Sequence, residues 1–135
     1  MKKNQGFSLL ELLIATAIVA IIGVLAYPSY TDAIIDGRRS EAQQELLKTA
    51  VILERQYSRN GGYPDSTSFT ALPTLEVYTF AYQPLGKPEN GADFTSPRFL
   101  LTATPKAGSS QAGDPCGAVT INHTGTQGAQ KSGCW

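Results

Sequence analysis

Few residues of this 135-residue chain are placed to do chemistry, and the most unusual is Glu11. It is the lone charge in an apolar run from Phe7 to Tyr27. A carboxylate at mid-membrane costs roughly 3 kcal/mol, so such a residue calls for a counter-charge. Cys116 and Cys134 are the only thiols. Paired, they would close a loop of about 19 residues and stabilise the fold by roughly 3 kcal/mol in the chain-entropy model. As a zinc pair they would need two further ligands, and His123 is the only soft candidate. The disulfide is the favoured reading, because the apolar start sends the rest of the chain into an oxidising compartment. His123 is the single histidine, which leaves no histidine-based triad and no metal cluster to propose. It reads as a structural or solvent-facing side chain. Ser109 and Ser110 have no evident base, and Gly61-Gly62 lacks the flanking strand and third glycine of a phosphate-binding turn. Asn122-His123-Thr124 matches a glycosylation sequon and is read as chance. No catalytic residue, metal or cofactor is assigned, and the chain is expected not to be an enzyme.

The element that must position Glu11 is a helix. At about 1.5 Å per residue, Phe7 to Tyr27 spans about 30 Å, the thickness of a bilayer hydrocarbon core. Lys2 and Lys3 supply the positive flank that holds an N-terminus on the cytoplasmic side. An ordinary secretory signal with Val24-Leu25-Ala26 as cleavage site is the alternative, but such signals have an uncharged apolar core.

Gly6-Phe7-Ser8-Leu9-Leu10-Glu11 resembles the leader junction of type IV prepilins. The resemblance implies that a prepilin peptidase cuts between Gly6 and Phe7, and that the new α-amine of Phe7 is methylated. It also implies that Glu11 faces the N-terminal ammonium of a neighbouring subunit inside a filament. A wrong axial register would leave both charges unpaired, so Glu11 would set register during assembly. Tyr27-Pro28-Ser29-Tyr30 is similar to the place where the pilin helix meets its first proline. Pro28 removes a backbone donor and should bend or loosen the helix. Many pilins have a glycine where Ala20 stands; here the only glycine of the span is Gly23, so a loosened stretch would run from Gly23 to Pro28.

Beyond Pro28, Ile35, Ala42, Leu46, Ala50, Leu53 and Tyr57 recur at helical spacing and form one apolar face. Arg38, Arg39, Glu41, Gln44, Glu45 and Lys48 are assigned to the opposite face, with Arg38 and Glu41, and Glu45 and Lys48, at neighbour spacing. That face is expected to be solvated, with subunit contact as the other reading. One helix is expected from about Phe7 to about Arg59, ended by Asn60-Gly61-Gly62. Its first half is apolar all round and needs lipid or other helices; its second half needs a body on one side.

Tyr63 to Pro73 reads as a loop anchored by Phe69 and Leu72. Val77 to Tyr82 alternates, placing Tyr78, Phe80 and Tyr82 on one side of a strand. Arg98 to Thr104 is a second strand and Ala118 to Asn122 a third, with Pro84 to Ser96 a long turn between the first two. The fold expected is α+β, a long helix packed on a small antiparallel sheet of three to four strands. The domain reading is residues 1–6 as leader, 7–27 as transmembrane and polymerisation helix, and 28–135 as a globular head that includes the second half of the helix.

The C-terminal part, from Cys116-Gly117 through Thr124-Gly125-Thr126 to Cys134-Trp135, resembles the disulfide-bounded end of PilE-type minor pilins. The resemblance implies a structural subunit of a type IV pilus, serving assembly, adhesion, twitching motility or DNA uptake. Its implied partners are other pilin subunits, the prepilin peptidase and the inner-membrane assembly machinery. It would sit in the inner membrane with a periplasmic head, then in the extracellular pilus. One alternative is a pseudopilin of type II secretion; the calcium site usual in the major ones is not expected, since Asp114 is the only carboxylate after Asp93. Another is a DNA-receptor minor pilin, in which Lys87, Arg98, Lys106 and Lys131 converge, with Tyr63 or Trp135 stacking on bases. The composition does not favour nucleic acid. Basic and acidic residues number 11 each, and removal of Lys2 and Lys3 would leave a slight acidic excess.

Overall fold

The computed structural model describes residues 7–86 and 94–135, apart from the side chains of Leu25, Phe94 and Thr95. Gly6, Lys2, Lys3 and Lys87 lie outside the described residues, so the leader junction is described only from Phe7 onward. The chain divides into two compact units, Met1–Ile34 and Ile35–Trp135.

In the first unit the dominant feature is the start of α1 (Leu9–Asn60), which is helical through Gly23 and Pro28. Pro28 has no N–H to donate, yet its neighbours keep helical geometry and Thr31 Oγ1 donates to the Pro28 carbonyl at 2.8 Å. The described side chains from Phe7 to Tyr30 are exposed. They are too uniformly apolar for any one face to prefer water.

In the second unit α1 turns amphipathic, and Ala42, Leu46, Ala50 and Leu53 are buried. The helix ends where Gly61 takes φ +77° and donates its N–H to the Tyr57 carbonyl at 2.8 Å, a left-handed cap that glycine adopts at little cost. The buried helix face packs with a four-stranded antiparallel sheet ordered β2 (Tyr78–Leu85), β4 (Arg98–Pro105), β5 (Val119–Asn122), β6 (Gln127–Ala129). Alternation along each strand sends Tyr78, Phe80, Phe99, Leu101, Ala103, Val119 and Ile121 into the core. A second, two-stranded sheet joins β1 (Tyr63–Pro64) to β3 (Phe94–Ser96).

The α+β architecture agrees with the sequence, and three details correct it. β2 runs on to Leu85, and Phe94–Ser96 forms β3, so the expected turn from Pro84 to Ser96 is strand at both ends. Tyr63-Pro64 is strand rather than loop, held through Tyr63, whose ring meets Phe99 edge-on with centroids 4.8 Å apart. β6 is a strand of Gln, Gly and Ala, whose composition has no alternation to read. Phe69 and Leu72 anchor the following segment as expected, Phe69 stacking on Tyr82 with centroids 4.8 Å apart.

Candidate functional site

Glu11 projects from the first turns of α1 and is exposed, in a surface otherwise made of Ser8, Leu10, Ile14, Ala15 and Ile18. Among the described residues it joins no ion pair. The fold therefore places a carboxylate on an apolar helix surface and offers it no counter-charge from the described residues. Phe7 is 85% exposed, and no element of the described chain covers it.

The opposite end of the chain is built around the disulfide. Cys116 and Cys134 are bonded, with Cα atoms 5.8 Å apart. The loop they close contains β5 and β6 and their turn. Asn122 Oδ1 organises that turn by accepting from the Thr124 N–H at 3.0 Å, the Thr124 hydroxyl at 2.7 Å and the Thr126 N–H at 2.9 Å. At the base of the loop Gly117 has φ +57°, and a Cβ there would run into the Gln130 side chain. Trp135 closes the other side, its Nε1–H donating to the Gly128 carbonyl at 2.8 Å.

Asp114 joins this loop to the helix. Its Oδ1 accepts from Arg39 Nη1 at 2.6 Å and from the Cys116 N–H at 2.9 Å. Its Oδ2 accepts from the Tyr78 hydroxyl and from Gln111 Nε2, both at 2.9 Å. The carboxylate is wholly buried and Arg39 nearly so. Burial alone would push its pKa up. The Cys116 N–H, the Tyr78 hydroxyl, the Gln111 amide and the Arg39 charge outweigh that and hold it below the usual carboxylate range. Burial likewise opposes the Arg39 charge, and Asp114 with Asp36 keeps its pKa raised. Tyr78 is raised by burial, then by its bond to Asp114. Three more contacts from α1 reach the same loop region: Arg38 donates to Ser110 Oγ, Gln43 to the Cys134 carbonyl, and the Ile35 carbonyl accepts from Gln111 Nε2 at 3.0 Å.

This network corrects the expected charged face of α1. Lys48 does pair with Glu45 at 2.6 Å on the exposed side. Arg38 reaches Ser110 instead of Glu41, and Arg39 is enclosed. The signal was in the spacing. Arg39 stands four residues after Ile35 and three before Ala42, on the apolar stripe itself, where a charge must find a partner. Nothing in the sequence marks Asp114 as that partner, 75 residues away.

Among the described candidate nucleic-acid cations, Arg98 and Lys106 do not gather. Arg98 opens β4 opposite Leu85, whereas Lys106 follows the other end of β4, where Pro105 faces Tyr78. Eight residue steps along the strand separate them by about 25 Å. Lys106 Nζ donates to the Leu75 carbonyl at 2.8 Å, and Tyr63, buried among Tyr57, Phe99 and Glu54, has no face free for stacking. Lys131 remains exposed beside the half-buried Trp135. His123 follows β5, its backbone N–H donating to the Phe99 carbonyl at 3.3 Å. Among the described residues no three His, Cys, Asp or Glu side chains are grouped to hold a metal ion.

Comparisons with known proteins fall on both regions. Residues 28–120 match the family described as "Type IV minor pilin ComP, DNA uptake sequence receptor", and residues 1–27 match the "Prokaryotic N-terminal methylation motif". A fimbrial protein of Moraxella nonliquefaciens is 39% identical over 84 residues, covering 61% of this chain and 53% of that one. The chain thus spans about half the length of this curated relative. Among solved structures, a type IV pilin from Shewanella oneidensis is 35% identical with a TM-score of 0.56, covering 75% of this chain and 97% of that one. The Neisseria meningitidis non-core minor pilin PilV shares the fold, at 24% identity and a TM-score of 0.54 over 75% of this chain and 91% of its own.

Proposed function

The chain belongs to the type IV minor pilins, which makes it a structural pilus protein, and on that premise we propose how its parts are used. Residues 1–6 are a leader removed by the prepilin peptidase between Gly6 and Phe7, after which the Phe7 amine is methylated. Residues 7–27 hold the chain in the inner membrane as a single span, with residues 28–135 as the periplasmic head. The inner-membrane assembly machinery then moves the span out of lipid and into a fibre of other pilin subunits. Within the fibre Glu11 meets the Phe7 ammonium of a neighbour, and the helix bends or loosens between Gly23 and Pro28.

The observation that carries this reading is the apolar first part of α1, exposed throughout its described side chains and bearing one carboxylate. Such a surface is stable only when lipid or other helices cover it, and the carboxylate selects a cover that brings a cation. A smaller exposed apolar patch on the second part of α1, made by Leu47, Val51 and Ile52, supports subunit contact there too. The test is to quantify the mature chain in sheared pili beside the other pilins, in wild type and in Gly6→Ala. Absence of the wild-type chain from the sheared fraction would overturn the reading, and Gly6→Ala should leave an uncut, membrane-retained precursor.

The description of the matched family as a DNA uptake sequence receptor favours a second reading, in which the head of this pilin also binds DNA. Separate cations rather than one basic patch would then do the contacting, with a correspondingly shallow salt dependence. Titration of the chain with short duplexes at low and moderate salt tests it; no binding at low salt removes it.

A further inference from the structure

We infer that Tyr27 and Tyr30 form a headgroup anchor that fixes how deeply α1 sits in the membrane before assembly. The inference rests on the membrane stage proposed above. From Leu12 to Thr31 no residue is charged, a stretch of about 30 Å of helix, as long as a hydrocarbon core is thick. Up to Ala26 it is aliphatic or small. Its one hydroxyl, on Thr16, is turned back onto the helix, donating to the Leu12 and Leu13 carbonyls at 3.0 Å. Tyr27 and Tyr30 follow, three residues apart and so on one face, with 71% and 67% of their surface exposed. Among the described residues no other tyrosine is more than half exposed; Tyr63, Tyr78 and Tyr82 all pack on the core. A phenol joins an apolar ring to a hydroxyl, the combination favoured at the boundary between hydrocarbon and water. Asp32 and Asp36 then begin the charged sequence.

Depth follows from length. Counting back about 30 Å of helix from Tyr27 returns to Phe7, which leaves Glu11 about 6 Å inside the inner boundary and not at mid-membrane. From that depth its side chain reaches headgroup water. The tyrosines thereby keep Glu11 shallow, hydrated in lipid and still free to meet a subunit's ammonium. Assembly draws the tyrosines outward, away from the core, so the anchor does not oppose extraction by dragging phenols through hydrocarbon.

The experiment uses the full chain in cells that lack the pilus assembly motor. Single cysteines replace Ala26, Ser29 or Ala33, and a membrane-impermeant maleimide is added outside the inner membrane. Because Cys116 and Cys134 are bonded to each other, the introduced thiol is the one that reacts. The anchor predicts protection at 26 and labelling at 29 and 33. In Tyr27→Leu/Tyr30→Leu the helix sinks by about one turn, and labelling at 29 falls at least about fivefold while 33 stays open. Tyr27→Trp/Tyr30→Trp retains the wild-type pattern. Equal labelling at 29 in the leucine variant and wild type overturns the anchor while leaving the membrane stage intact. Full labelling at 26 in wild type also overturns the anchor, and recovery of the wild-type chain in the soluble fraction overturns the membrane stage itself.

Discussion

The apolar span of α1 and the turn before Cys116 each carry one carboxylate, and the two are served in opposite ways. Asp114 is enclosed by the head and receives hydrogen bonds from Arg39, Tyr78, Gln111 and the Cys116 N–H. Glu11 stands on an exposed apolar helix with no ion-pair partner among the described residues. A carboxylate whose donors all lie in the same chain belongs to folding. One on a largely apolar surface, with no ion-pair partner among the described residues, is the one that the proposed function gives to assembly. The head would thus be complete as a single copy, and the helix start would be completed by a neighbour.

The largest expected effect breaks the comparison at Glu11. Glu11→Ala should lower the amount of chain in sheared pili by more than about tenfold, since a buried ammonium left unpaired is strongly disfavoured, while membrane levels and protease resistance of the head stay at wild type. Equal incorporation of Glu11→Ala would remove the register role. Asp114→Ala should do the reverse. It leaves the enclosed Arg39 with only the exposed Asp36 as a partner and should destabilise the head by about 3 kcal/mol in denaturant unfolding. Asp114 also sets a pH dependence. Its pKa in the fold lies below that in the unfolded chain, so its contribution is whole above about pH 4 and is lost as pH falls through the folded value. Wild type should therefore lose stability in acid more steeply than Asp114→Asn. Tyr82, pushed up to about 12 by burial and then by the Asp65 charge, should stay protonated and ultraviolet-silent at pH 10.5.

Replacing both Cys116 and Cys134 by serine should cost about 3 kcal/mol by the chain-entropy argument. Because Arg39 and Gln43 still hold each end of the loop, the core strands should survive, and hydrogen exchange should quicken chiefly in β5 and β6. The smallest effect sharpens the same point. Trp135→Phe removes the Nε1–H bond to the Gly128 carbonyl together with part of the ring that packs on the core, and should cost about 1 kcal/mol. A cost near zero would mean that the ring's packing, and not its hydrogen bond, holds the C-terminus.

Local pattern made much of this legible. The apolar face of α1 from Ala42 to Leu53, the Gly61 cap and the alternation in β2 and β4 are all legible in the sequence, because each depends on neighbours within a few residues. Tyr63-Pro64 and β6 are not. Their strand character comes from partners far along the chain, Phe94–Ser96 in one case and Val119–Ile121 in the other, and strands of two or three residues are too short to show a period of their own. Arg39 is the instructive intermediate. Its place on the apolar stripe is visible in the spacing, its charge predicts a solvated face, and Asp114 together with Asp36 explains why it can stay inside.

By itself, then, the sequence determined the long helix, its change from apolar to amphipathic, the lone Glu11 near its start and the cysteines that close the C-terminal loop. These are one-dimensional facts of charge, hydropathy and spacing. Tertiary structure alone decided which charges are satisfied within the chain, because a buried ion pair needs convergence of residues that spacing does not relate. It joined Arg39 to Asp114 across 75 residues, set Arg98 and Lys106 at opposite ends of β4, and left Glu11 without an ion-pair partner among the described residues.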